Sequence, residues 1–193
     1  MGMTKLDLRH EANSNGGFSL MELMITLSIT ATLASIAAPS FASMISDGRI
    51  KAASVQLSTT LAMARNHALS STTTVIVCQA QDATMQRCSD AHRRNTRWSS
   101  GIITYADLNA DNSLDENDQI LTTLQSHESI SMVFNQNGRL RFFADGSARS
   151  AGFYLCSKRS DRERHLKILH TGRTRTAAKL SDRNRETCLS KAD

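Results

Sequence analysis

From Leu23 to Ser46 the chain runs 24 residues without a charge, and a carboxylate, Glu22, stands immediately before that run. An apolar helix of roughly 20 residues spans the hydrocarbon core of a bilayer, so a membrane helix near the N-terminus is predicted. The rest of the 193 residues suffices for one globular domain of about 120 to 150 residues. A secretory signal peptide would carry its small-residue cleavage site after the apolar run. Here Gly16 and Gly17 precede it. Cleavage between Gly17 and Phe18 would leave the helix on the mature chain and create an amine at Phe18. An ionisable group in hydrocarbon is costly and normally paired. Glu22 lies one turn from that new terminus, and the amine of a neighbouring subunit can neutralise it, setting the register between helices in an assembly.

Gly17, Phe18, Glu22, the apolar helix and Pro39 together resemble the N-terminus of a type IV prepilin, shared by pilins, minor pilins and type II secretion pseudopilins. The resemblance implies processing by a prepilin peptidase, methylation of the new N-terminus, residence in the inner membrane and assembly with other pilin subunits into a cell-surface filament. One departure is the leader, where Lys5 and Arg9 are balanced by Asp7 and Glu11. The expected division is a leader over 1–17, a membrane and assembly half-helix over 18–45, and a periplasmic or extracellular domain over 46–193 whose basic tail starts near 157.

Beyond Pro39, where a kink is expected, Leu57, Leu61, Ala64 and Ala68 recur at helical spacing and predict a stripe that packs on a core. After Thr72 the pattern changes to short β-branched runs, with strands expected at 73–78, 101–106, 119–124, 129–134, 139–143, 152–156 and 165–170. Asn137-Gly138 reads as a hairpin turn between the fourth and fifth of these. With no further helical pattern, the expected class is α+β: a long N-terminal helix packed on an antiparallel sheet domain, type IV pilin-like. The order of elements and the segment from Trp98 to Leu121 resemble the GspH/FimT group of minor pilins and pseudopilins.

Four cysteines, Cys78, Cys88, Cys156 and Cys188, allow three pairings. Locality favours Cys78 with Cys88 and Cys156 with Cys188, and an envelope setting lets such bonds persist. Zinc on Cys78, Cys88 and His92 lacks the short paired spacings that zinc sites use. Between two expected strands, Asp107, Asn109, Asp111, Ser113, Asp115 and Asp118 fall at the oxygen-ligand positions of a calcium loop. Asn112 replaces the usual glycine, Asp118 replaces the longer glutamate, and a solvated turn explains the same residues.

From Lys158 to Asp193 there are eleven Lys/Arg against five Asp/Glu, so this segment holds +6 of a net +5 chain. Within it, Gly172, Arg173 and Arg175 form a Gly-Arg-x-Arg pattern. Two guanidinium forks two residues apart on an extended chain face one side and suit phosphates. The pattern is similar to that of FimT-type minor pilins and implies binding of double-stranded DNA in natural transformation, with Lys167, Lys179, Arg183 and Arg185 extending the positive field. Lacking Phe, Tyr or Trp after Cys156, the tail offers no stacking platform, so contact with the backbone and no reading of sequence is expected. There is no nucleophile elbow, phosphate-cradling loop or HExxH, and an enzyme is not expected. The alternatives are a structural minor pilin of FimU type in the pilus tip or a GspH-like secretion pseudopilin.

Overall fold

The computed structural model describes residues 17–90, 93–177 and 179–191. The leader before Gly17 and His92 of the zinc alternative lie outside the described residues. The chain divides into two compact units, Met1–Ser40 and Phe41–Asp193, and helix α1 (Leu20–Ser71) contributes to both.

In the first unit the helix starts at Ser19, whose Oγ accepts the backbone N–H of Glu22 at 3.2 Å while its carbonyl accepts that of Leu23 at 3.1 Å. Ser-x-x-Glu is the spacing of a capping box, so Glu22 occupies the third helical position, where a negative charge complements the helix dipole. Glu22 thus serves the helix terminus, in addition to the assembly role expected from the sequence. Hydroxyls inside the apolar run fold back on the preceding turn: Thr26 to the Leu23 carbonyl, Ser28 to Met24, Thr30 to Thr26 and Thr32 to Ser28. These bonds satisfy polar atoms that a hydrocarbon environment would leave unpartnered. Met21, Leu23, Leu27, Leu33 and Ile36 are exposed around the helix. A helix that is apolar on every side needs lipid or other helices around it, and this one is long and apolar enough to cross a membrane.

In the second unit one stripe of α1 is buried: Ile50, Leu57, Leu61, Ala64 and Ala68, with Ser46 and Ser54 in the same rows. Among the described residues nine strands follow: β1 (Thr74–Gln79), β2 (Thr96–Arg97), β3 (Ile102–Asp107), β4 (Gln119–Leu124), β5 (Ser131–Phe134), β6 (Leu140–Phe142), β7 (Ala151–Ser157), β8 (Ser160–Ile168) and β9 (Thr174–Ala177), then helix α2 (Asp182–Leu189). They form two antiparallel sheets, in the orders β4-β3-β1-β6 and β2-β5-β7-β8-β9. The fold is α+β, a long helix with antiparallel sheets.

Alternation along the strands builds the core. Val75 and Val77 of β1, Ile102 of β3, Phe142 of β6, Phe153 and Leu155 of β7, and Leu166 and Ile168 of β8 share one cluster with the helix stripe. Trp98, Phe134 and Phe153 meet there at centroid separations of 4.8 to 5.0 Å. The opposite face of the first sheet buries Ile76, Cys78, Ile103 and Tyr105 under Met85 and Cys88.

Three expectations are corrected. Asn137-Gly138 is not a hairpin turn, because β5 pairs with β2 and β7 whereas β6 pairs with β1. Gly138 has φ +71°, but its positive φ carries the chain from one sheet to the other. Strand β8 begins at Ser160, five residues before the expected start, since its charged first half hides the apolar alternation. Finally, a second helix exists: α2 has few apolar residues, and its buried Cys188 holds it to Cys156 of β7.

Candidate nucleic-acid interface and acidic loop

The Gly172, Arg173, Arg175 motif lies on the β8–β9 hairpin. The Leu169 carbonyl accepts the Gly172 N–H at 2.8 Å, and the Arg173 carbonyl accepts the Leu169 N–H at 2.9 Å. A three-residue loop of this kind ends in a left-handed residue, and Gly172 has φ +72°. Packing demands glycine as well: a Cβ there would lie 2.0 Å from the Gly146 carbonyl oxygen. Arg65 of α1 closes the arrangement, its Nε reaching the Gly146 carbonyl at 3.0 Å and the Thr171 carbonyl at 3.2 Å. One guanidinium thus ties two turns to the helix.

Beyond that turn, Arg173 and Arg175 are exposed, and Arg175 sits directly opposite exposed Lys167 in the β8–β9 register. Lys179 and Arg183 are also exposed. None of these five makes an ion pair among the described residues. Arg185 behaves differently. It is half-buried and lies 2.8 Å from Glu163 Oε1 and 3.1 Å from Asp161 Oδ1, so its charge is spent within the protein. Glu163 also accepts the Leu180 N–H at 3.2 Å, which fastens the approach to α2. Arg162 pairs similarly with Asp47 of α1 at 3.0 Å. Beside the hairpin, His165 packs edge-on against Tyr154 at 4.8 Å. Burial, and then the Lys167 charge, hold its pKa below the usual histidine value.

Asp107 to Asp118 connect β3 to β4. The short side chains turn onto their own backbone: Asn109 Oδ1 accepts the Asp111 N–H, Asp111 Oδ1 that of Ser113, and Asp115 Oδ1 that of Asn117. Asp118 accepts the Leu108 N–H at 3.0 Å and the Asp115 N–H at 3.1 Å. Carboxylate oxygens of Asp107, Asp111 and Asp118 converge within 4.8 Å of one another. Asp115 is not in that group; its Oδ2 accepts the side-chain amide of Asn109 at 3.2 Å. Ser113 enters through its N–H. At the position where calcium loops carry glycine, Asn112 has φ +64°, a conformation that Asn tolerates better than most residues.

Gly17 and Phe18 are exposed ahead of α1, and a Cβ on Gly17 would meet no atom within 4 Å. Nothing among the described residues therefore requires glycine at that position. Disulfides join Cys78 to Cys88 and Cys156 to Cys188, with Cα separations of 5.7 and 6.2 Å.

Two family models match the chain: type II transport protein GspH over residues 53–172 and the prokaryotic N-terminal methylation motif over residues 12–38. No curated protein sequence matches it. Among solved structures, it is similar to the type IV minor pilin FimU of Pseudomonas aeruginosa PAO1, at 19% identity and a TM-score of 0.49, covering 66% of this chain and 91% of that one. It is also similar to the minor pseudopilin EpsH from the Type 2 Secretion System of Vibrio cholerae, at 15% identity and a TM-score of 0.49, covering 67% and 96%. The family match spans well over half of the residues. The chain therefore belongs to the type II transport protein GspH family, and it is a minor pilin or pseudopilin and not an enzyme.

Proposed function

We propose that this chain is a FimT-like minor pilin that binds double-stranded DNA without sequence preference and supports DNA uptake in natural transformation. The observation that carries this reading is the β8–β9 hairpin, whose turn is pinned by Arg65 and whose Arg173, Arg175 and Lys167 project exposed, with no ion pair among the described residues. The turn holds their backbone in place, and the planar guanidinium fork loses less freedom per hydrogen bond when it clasps a phosphate than a flexible ammonium does. Lys179 and Arg183 enlarge the field, while Arg185 is assigned a structural part. Upstream, prepilin peptidase cuts between Gly17 and Phe18, residues 18–45 hold the subunit in the inner membrane and later in the filament, and the domain from residue 46 faces the periplasm or the exterior.

The test is fluorescence anisotropy of full-length protein in detergent with two duplexes of unrelated sequence over a range of salt. Binding should be equal for both, with log affinity falling linearly in log salt by about 0.9 per phosphate contacted. Arg173→Gln with Arg175→Gln should flatten that slope by roughly 2 units. Unchanged binding in the double variant, or no salt-dependent binding by the parent, would remove the DNA reading.

A second reading, a pseudopilin of a secretion system, is favoured by the description of the matching family as a type II transport protein. It is separated by gene deletion: loss of protein secretion with transformation intact supports it, and loss of transformation with secretion intact supports the first.

A further inference from the structure

We infer that the connection between β3 and β4 is a calcium site, with Asp107, Asp111 and Asp118 as its carboxylate ligands. Asp107 carries the argument. Among the described residues only Asp107 and Glu163 are buried acids, at 3% and 7% exposure. Glu163 has the Arg185 guanidinium and the Leu180 N–H as partners. Asp107 has no ion pair; its Oδ2 accepts one N–H, from Asn112 at 3.2 Å, and its buried Oδ1 has no hydrogen-bond donor at all. A buried carboxylate without a countercharge is strongly disfavoured, and such groups are found paired or on metals.

The guanidinium that touches this loop does not fill that role. Arg139 donates from Nη1 to the Asn112 carbonyl and extends Nη2 to 3.9 Å from Asp90. It pairs with none of the loop carboxylates. Instead, Asp107 is met by oxygens of Asp111 and Asp118 that lie within 4.8 Å of its own. Three like charges at that separation repel unless a cation lies between them. The hydrogen bonds that Asp111 and Asp118 accept from backbone N–H groups fix their orientation and leave further lone pairs on each oxygen, since a carboxylate offers about four acceptor sites.

Oxygen ligands and three full negative charges select a hard divalent ion. A 12-residue loop supplying carboxylates from positions 1, 5 and 12 fits calcium, which accepts variable coordination, better than magnesium, which demands a tight octahedron and retains its waters. The ion would lock the end of β3 to the start of β4, far along the chain from the cations of the β8–β9 hairpin, so this inference stands whether or not that hairpin binds DNA.

The test is isothermal titration of chelator-stripped full-length protein in detergent with calcium chloride, and with magnesium chloride in parallel. The expected dissociation constant lies around 10⁻⁴ to 10⁻³ M, as in extracellular modules. The thermal midpoint should rise by several degrees at calcium well above that value. Asp111→Asn alters an exposed residue, so the variant folds, and it should weaken binding by about tenfold or more, as should Asp118→Asn. Glu116→Gln, on the same loop but outside the converging group, should bind as the parent does. The inference is overturned if the parent shows neither heat nor a midpoint shift with calcium, if Asp111→Asn and Asp118→Asn bind as the parent does, if Glu116→Gln weakens binding as much as they do, or if magnesium binds as tightly as calcium.

Discussion

The acidic connection between β3 and β4 and the basic β8–β9 hairpin are both charged turns at sheet edges, yet their side chains find different partners. In the acidic connection, Asp and Asn are short acceptors, and Asn109, Asp111 and Asp115 each accept an N–H two residues on, so these side chains are turned onto the loop's own backbone. In the hairpin the turn is closed by its own main-chain bonds and fastened from outside by Arg65, and arginine has no acceptor with which to satisfy a backbone N–H. Its long side chain must find an acid or face solvent. Arg185 finds two acids and is absorbed; Arg173 and Arg175 find none among the described residues and project outward. An equal density of charge therefore says little about availability. What decides it is whether the side chain can pair with its own surroundings.

That contrast can be broken most severely at the disulfide behind the hairpin. Cys156→Ser with Cys188→Ser should cost about 2 to 5 kcal/mol, read by denaturant unfolding, and amide exchange should show α2 losing protection before the sheets do. Gly172→Ala comes next. It forces a Cβ onto the Gly146 carbonyl at φ +72°, and a loss of about 3 kcal/mol is expected, with weakened DNA binding as a consequence of the displaced turn. The double change Arg173→Gln with Arg175→Gln should do the reverse, moving the folding free energy by no more than about 0.5 kcal/mol while reducing the salt dependence of DNA binding. If Gly172→Ala folded as well as the parent, the packing account of the motif would fail.

The smallest effect expected is at His165. Its folded pKa is lowered, by burial first and by Lys167 second, so the unfolded state takes up a proton at higher pH than the folded state. The histidine's contribution to stability is then present above its ordinary pKa of about 6.5 and is lost as pH falls through the folded value. His165→Gln should flatten the decline in thermal midpoint just below that pKa, and an unchanged slope would exclude His165 as its source.

Much of this was legible along the chain. The apolar run, the helical stripe at Leu57, Leu61, Ala64 and Ala68, and the β4 limits Gln119–Leu124 depend on residues within a few positions of one another, and such signals survive in one dimension. The Ser19 cap on Glu22 was equally local; its Ser-x-x-Glu spacing could have revealed it. Strand β9 was hidden because Thr-Arg-Thr-Ala has no apolar alternation and holds its place by pairing with β8.

By itself the amino-acid order determined the long helix, the apolar strands and where charge accumulates, because backbone preference and side-chain period act within a window of a few residues. Tertiary structure alone decided that Asn137-Gly138 crosses between sheets while Leu169 to Arg173 forms the hairpin, that Arg185 is neutralised while Arg175 has no ion pair among the described residues, and that Asp107 is buried with no donor to its Oδ1. Each of those outcomes depends on contacts between residues far apart in the chain. Strand partners are chosen when long loops close and apolar faces find a common core, and a side chain's surroundings exist only after that choice.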